Sequence, residues 1–160
     1  MRAEELAAEL NHPAARQLLH HPGPARLAYT GRDGFPRVIP IGFYWDGERL
    51  FLCTAVTAPK VQALRERPHV ALTIDTDEAP QKALLIRGVA EIEIVDGVPP
   101  EYLAASAKSM GAAELQAFEA QVRGVYPQMA RISVTPAWAR CYDFGAGRLP
   151  AFLQKLIAGG

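Results

Sequence analysis

The sequence predicts a mainly β protein with α insertions, a small closed antiparallel barrel of about six strands. Three observations predict it. From Arg26 onward, apolar residues recur at the two-residue period of strands. The links between these stretches are short turns such as Gly31-Arg32-Asp33-Gly34 and Trp45-Asp46-Gly47-Glu48, too short for the crossovers of a parallel sheet. Helical spacing is confined to the two ends of the chain, a short stretch near Lys60 and one segment before the last strands.

In chain order, residues 1–22 form a helical cap. Leu6, Leu10, Leu18 and Leu19 recur at helical spacing, and Pro13 is placed to end one helix and open another. ARLAYT, PRVIPIGF, RLFLCT and HVALTIDT then read as four strands of an antiparallel meander. A short helix near Lys60 interrupts them. In ALLIRGVAEIEIV, Ile92 and Ile94 alternate with Glu91 and Glu93, which makes one face wet and the other packed, and Gly88 marks a bend or bulge. Residues 99–126 are a helical insertion with Pro99 and Pro100 at its mouth and Leu115, Phe118 and Val122 as its apolar stripe. MARISVTP and WARCYDF resume strand character, and residues 149–158 close the chain as a short amphipathic helix.

The 160 residues suit one domain with a full core. Lysine and arginine together number 17, as do aspartate and glutamate, so no global field draws the chain to nucleic acid or an anionic membrane. Cys53 and Cys141 form no CxxC pair and no disulfide framework, which fits buried thiols in a reducing compartment. The N-terminus carries Glu4, Glu5 and Glu9 where a signal peptide needs an apolar core, and no stretch approaches the roughly 20 apolar residues of a membrane span. A cytoplasmic protein is expected.

The chemistry concentrates where the chain leaves a strand at Thr54 and starts a helix near Lys60. Thr54, Thr57 and Lys60 bring hydroxyls, an ammonium and free backbone N–H groups to one point, the makings of a phosphate seat. Thr57 is the expected N-cap, and Pro59 suits the first turn. Arg37, opening the earlier strand, can share the anion through its bidentate guanidinium. Pro40, between Ile39 and Ile41, gives up a ladder donor, so this strand is an edge or borders an opening where a flat ligand could lie. His12, His20, His21 and His69 lack metal-site spacing. No nucleophile elbow, Walker loop or dinucleotide fingerprint occurs. Asp75, Asp77 and Glu78 read as ordinary turn residues. Any chemistry therefore falls to a bound cofactor.

The strands RVIPIG and RLFLCT, the passage TAPKVQALRERPHVAL and the later IRGVAEI resemble the pyridoxamine 5'-phosphate oxidase-like, FMN-binding split barrels over most of residues 25–145. The resemblance implies a six-stranded antiparallel split β-barrel and a homodimer with two flavin-type cofactors, FMN or the deazaflavin F420, in clefts at the subunit interface. It matches Arg37, Thr54 and Lys60 to the phosphate ligands and Val38, Ile39, Pro40 and Ile41 to the backbone beside the ring. Trp138 and Arg148 match residues that reach the cofactor across the dimer. Ala58-Pro59 stands where the oxidases often carry Ser-Arg, and Arg148 is followed by Leu149 and Pro150 instead of the Arg-x-His element that holds pyridoxamine phosphate. Hydride transfer to or from another small organic substrate is thus the implied activity, with a non-catalytic flavin carrier or sensor as the alternative. A haem protein is disfavoured because no histidine lies in the final ninety residues. A nucleic-acid-binding barrel is disfavoured by the neutral balance.

Overall fold

Strand β1 (Ala25–Thr30) and strand β2 (Pro36–Ile41) form a hairpin in the computed structural model, which describes residues 1–159. β2 stops at Ile41, and after Gly42 and Phe43 a two-residue strand, β3 (Tyr44–Trp45), pairs with β4 (Leu50–Ala55). Between β3 and β4 the chain turns at Gly47, whose φ of 108° only glycine adopts without strain. β5 (His69–Asp75), β6 (Lys82–Asp96) and β7 (Gln128–Asp143) complete one antiparallel sheet in the order β2-β1-β5-β6-β7-β4-β3.

This arrangement corrects the expected meander and strand count. β2 and β4 do not pair; β4 lies on β7, and β1 lies on β5. The sheet has seven strands rather than six, because the stretch read as one strand to Phe43 breaks at Gly42. MARISVTP and WARCYDF, in contrast, are one strand carrying a bulge. Nor do the hydrogen-bonded ladders close into a barrel, since β2 and β3 are the two edges. Pro40 thus lies on an edge strand, as its missing N–H requires.

Those two edges are nonetheless tied. Ile41 and Tyr44 are three virtual bonds of about 3.8 Å apart, so their Cα atoms lie within roughly 11 Å. The sheet must curl until its edges nearly meet, and Phe43, with 0% exposure, fills the seam.

The bulge falls between Arg87 and Gly88: Gly88 faces Pro136, Arg87 faces Trp138, and Ala137 is left over. A Cβ at Gly88 would stand 2.4 Å from the Thr135 carbonyl oxygen, so only glycine fits. Beyond it, β6 alternates as expected, except that Ile94 is exposed where the strand leaves the core.

The helices α1 (Ala3–Leu10) and α2 (Pro13–Leu19) cap the curled sheet, with Pro13 opening the second. Leu18 and Leu19 join Leu27, Leu52, Leu72, Ile86 and Ile132 in the main core. Each such side chain contributes about 1.5–3 kcal/mol by burial. Helix α3 (Pro59–Glu66) lies between β4 and β5, and α4 (Pro100–Ala107) and α5 (Ala112–Val125) between β6 and β7. Val122 of α5 joins Cys53, Val98 and Met129 in a second cluster with Tyr102, Phe118 and Tyr126 around it. Helix α6 (Ala151–Ala158) ends the described chain. Among the described residues no helix is long and apolar enough to cross a membrane.

Glu9, only 7% exposed, fastens the N-terminal cap to β7. It accepts from the Arg140 guanidinium at 2.9 Å, from the Cys141 N–H at 2.8 Å and from the Arg148 guanidinium. Truncation would leave all three donors short of an acceptor. Glu9→Ala is expected to lower unfolding free energy by about 2–3 kcal/mol in urea titration; a loss below about 0.5 kcal/mol, the scatter of neutral surface changes, would contradict the latch.

Candidate functional site

Thr54 follows the buried run of β4, which ends at Cys53, and lies opposite Ala130 of β7. The chain then turns, with the Ala58 N–H donating to the Ala55 carbonyl at 3.0 Å, and α3 begins at Pro59. The N-cap is Ala58, not Thr57 as expected; no side chain caps the helix, and Thr57 stays exposed on the turn. The reason is local: Pro59 occupies the first helical position, which makes the residue before it the cap and keeps that residue extended. The N-terminal amides are therefore less satisfied than the sequence promised.

The Lys60 ammonium donates to Thr54 Oγ1 at 3.4 Å, a long bond. Burial lowers the pKa of Lys60 from its ordinary value, and among the described residues no carboxylate pairs with it. A half-buried cation with one weak acceptor has unused capacity for an anion. Thr54 and Lys60 are thus brought together as expected.

Arg37 lies on β2 opposite Tyr29. With Tyr29, Asp33, Pro59 and Gln62 it lines a recess of about 350 Å³, so the guanidinium and the start of α3 share one cavity while the Lys60 ammonium turns toward Thr54. Asp33 accepts from Arg37 at 2.6 Å. That bond, with another from the Phe35 N–H, holds the Asp33 carboxyl below its usual range. An incoming anion must compete with Asp33 for Arg37. Of the neighbouring strand residues, Ile39 and Ile41 pack against the core, whereas Val38, 67% exposed, and Pro40 face outward.

Trp138 and Arg148 do not join this group within one chain. Trp138 is on β7, eight residues beyond the partner of Thr54. Arg148 donates from Nε to the Cys141 carbonyl at 2.6 Å and from Nη2 to Glu9. Its guanidinium is engaged in the latch.

Sequence reasoning passed over two charged side chains. Arg87 stacks its guanidinium carbon 4.4 Å from the Trp138 ring centroid. Lys108, following α4, holds its ammonium 3.3 Å from the centroid of Phe43 and has no hydrogen-bond partner among the described residues. Neither had a signal, since each depends on a partner far along the chain. Cys53 is buried, and burial pushes its thiol up to about 12, with the Glu101 carboxylate adding and Arg131 opposing. Among the described residues no group of three or more His, Cys, Asp or Glu is placed to hold a metal.

A larger recess, about 650 Å³, lies elsewhere, between α1, α2 and the β3–β4 hairpin, with Leu6, Leu10 and Trp45 in its wall. Size alone favours it. The paired donors Lys60 and Thr54 stand at one end of α3, with Arg37 in the recess beside its first turn, and recognition of a charged ligand follows donors rather than volume.

Residues 12–140 match the sequence family described as pyridoxamine 5'-phosphate oxidase, and the chain belongs to that family. No curated protein matches it. Among solved structures it is similar to an F420 reductase, at 28% identity and a TM-score of 0.61 over 78% of this chain and 94% of that one. A conserved hypothetical protein of Mycobacterium tuberculosis is 20% identical with a TM-score of 0.62, over 94% of this chain and 89% of that one. An FAD-binding protein of Mesorhizobium loti shares the fold at 15% identity, with a TM-score of 0.52 over 88% of this chain and 94% of that one.

Lys108 yields a pH signature. Burial lowers its pKa from 10.5 to about 8. Below pH 8 folded and unfolded chains both carry the charge; between about 8 and 10.5 only the unfolded chain keeps the proton, so stability rises with pH across that window. Wild type is expected to gain on the order of 1 kcal/mol over Lys108→Met from pH 7.5 to 10 in chemical denaturation, the full linkage being screened by partial exposure. Parallel profiles would contradict this assignment.

Proposed function

We propose that this protein is an oxidoreductase that binds FMN or F420 and uses it to move a hydride to or from a small organic substrate. The observation that carries the reading is the half-buried Lys60 ammonium beside Thr54, at the start of a helix and, among the described residues, without a counter-ion. A phosphate supplies the missing charge. Membership of the family and the likeness to an F420 reductase support a flavin-type cofactor.

In this reading Lys60 and Thr54 hold the phosphate, Thr57 offers a hydroxyl from the turn, and Arg37 closes the far side once Asp33 yields. Val38 and Pro40, pointing out from the edge strand, give the ring an apolar platform, and the backbone at Ile39 and Ile41 runs beside it. When bound, the cofactor supplies the hydride chemistry. The chain's own residues bind, orient and screen it from water.

A second copy of the chain completes the cleft. The paired registers align Val38, Ala28, Ala71, Arg87 and Trp138 across β2, β1, β5, β6 and β7. Small and apolar side chains dominate that row, with Val89 exposed beside it, which makes a flat face suited to another copy. Stable association needs about 800 Å² from each partner. In this reading Trp138, at the end of the row, is the C-terminal residue that reaches a partner's cofactor. Arg148 would first have to leave Glu9 and the Cys141 carbonyl to do the same.

Lys60→Ala is expected to weaken FMN or F420 binding by about 1.5–3 kcal/mol, the range of a charge-assisted hydrogen bond, in fluorescence titration of both cofactors. Unchanged affinity for the cofactor that wild type binds would overturn the assignment.

A further inference from the structure

The row of small side chains that suits a second copy contains one charge. Arg87 projects from the middle of β6, between Ala71 of β5 and Trp138 of β7, with Val89 exposed two residues along the strand. Its guanidinium lies over the Trp138 ring, and among the described residues it makes no hydrogen bond or ion pair. Stacking fixes the plane of a guanidinium and leaves its N–H edge free to bond. The next acidic residue on its own strand, Glu91, is four positions on, about 13 Å at strand spacing. On β5, Asp75 is engaged by Arg26.

A guanidinium in such a place costs little while water covers it. Covered by a second copy, it loses that water and needs an oxyanion in return. Glu91 and Asp75 do not supply one, which leaves the covering copy or the occupant of the cleft as its source. The phosphate seat at Lys60 is separate: Thr54 lies on β4, paired to Ala130 of β7, eight residues from Trp138. The oxyanion at Arg87 is therefore a second one.

We propose that Arg87, braced by Trp138, is an oxyanion receptor in the dimer cleft. It takes a carboxylate or phosphate that belongs either to the tail of the cofactor or to the substrate. The proposal rests on the dimeric, cofactor-binding reading above. Trp138 is then a positioning residue, holding the fork of Arg87 toward the ligand.

The test uses the full chain as wild type, Arg87→Ala and Arg87→Lys, with oligomeric state followed by light scattering. Fluorescence titrations with riboflavin, FMN and F420 separate a ligand with no anion, one with a phosphate, and one with a phosphate and carboxylates. Benzoate added to the cofactor-loaded dimer serves as a carboxylate probe of the substrate side, read by the shift of the cofactor's absorption band. If the anion is the cofactor's, Arg87→Ala loses tenfold or more in F420 affinity, Arg87→Lys loses less, and riboflavin binding is unchanged. If it is the substrate's, all cofactor affinities hold and the benzoate response is lost in Arg87→Ala. Retention of every affinity and of the benzoate response in Arg87→Ala overturns the proposal. So does a monomeric Arg87→Ala, which would make the side chain an interface contact. A wild type that binds no flavin or stays monomeric overturns the functional reading itself, and this receptor with it.

Discussion

Two residues, Gly42 and Phe43, join the opposite edges of the sheet, and the rest of the molecule follows from that tie. An open seven-stranded antiparallel sheet twists but can keep its edges far apart. Here the chain passes from β2 to β3 in two residues, so the sheet must wrap, and Phe43 is buried completely where the edges meet. Wrapping encloses the core that α1 and α2 seal. It also sets α3 against β1, so that Pro59 and Gln62 come into one recess with Arg37 although some twenty residues separate them in sequence. The candidate site is a product of closure.

Charge is distributed in two ways. Glu9 is buried and fully met by Arg140, Arg148 and a backbone N–H, an arrangement that fixes how the N-terminal cap sits on β7. Arg131 similarly bridges Glu93 and Glu101, which joins α4 to the sheet. Lys60 and Lys108, by contrast, are both half-buried and, among the described residues, lack a carboxylate. Lys108 spends its charge on the face of Phe43, at the seam itself. Lys60 has a single long bond to Thr54. A cation left open at the start of a helix is what distinguishes a site from a scaffold contact.

Strand identity was legible in the sequence because the two-residue period and the Gly and Pro punctuation are local. Pro40 announced an edge strand, Gly88 a bulge, and Pro13 a helix start, each through its own backbone chemistry. Strand order was not legible, since β4 choosing β7 over β2 depends on contacts nearly eighty residues apart. The break at Gly42 was hidden for the same reason: Phe43 continues the apolar pattern, yet its side chain serves the seam. At the site, Thr54 and Lys60 could be paired from spacing alone, whereas Thr57 was misplaced as the cap by one residue. The engagement of Arg148 by Glu9 and the stacking of Arg87 on Trp138 join distant segments, and no local pattern signals either.

The most direct measurement is a crystal structure of the protein grown with FMN or F420. The expected density places a phosphate within hydrogen-bond distance of Lys60 and Thr54, with the ring along the outward face of β2 at an interface between two copies. A cofactor seated instead in the larger recess between α1, α2 and the β3–β4 hairpin, with Lys60 still bonded only to Thr54, would contradict the phosphate seat on which the proposed function rests.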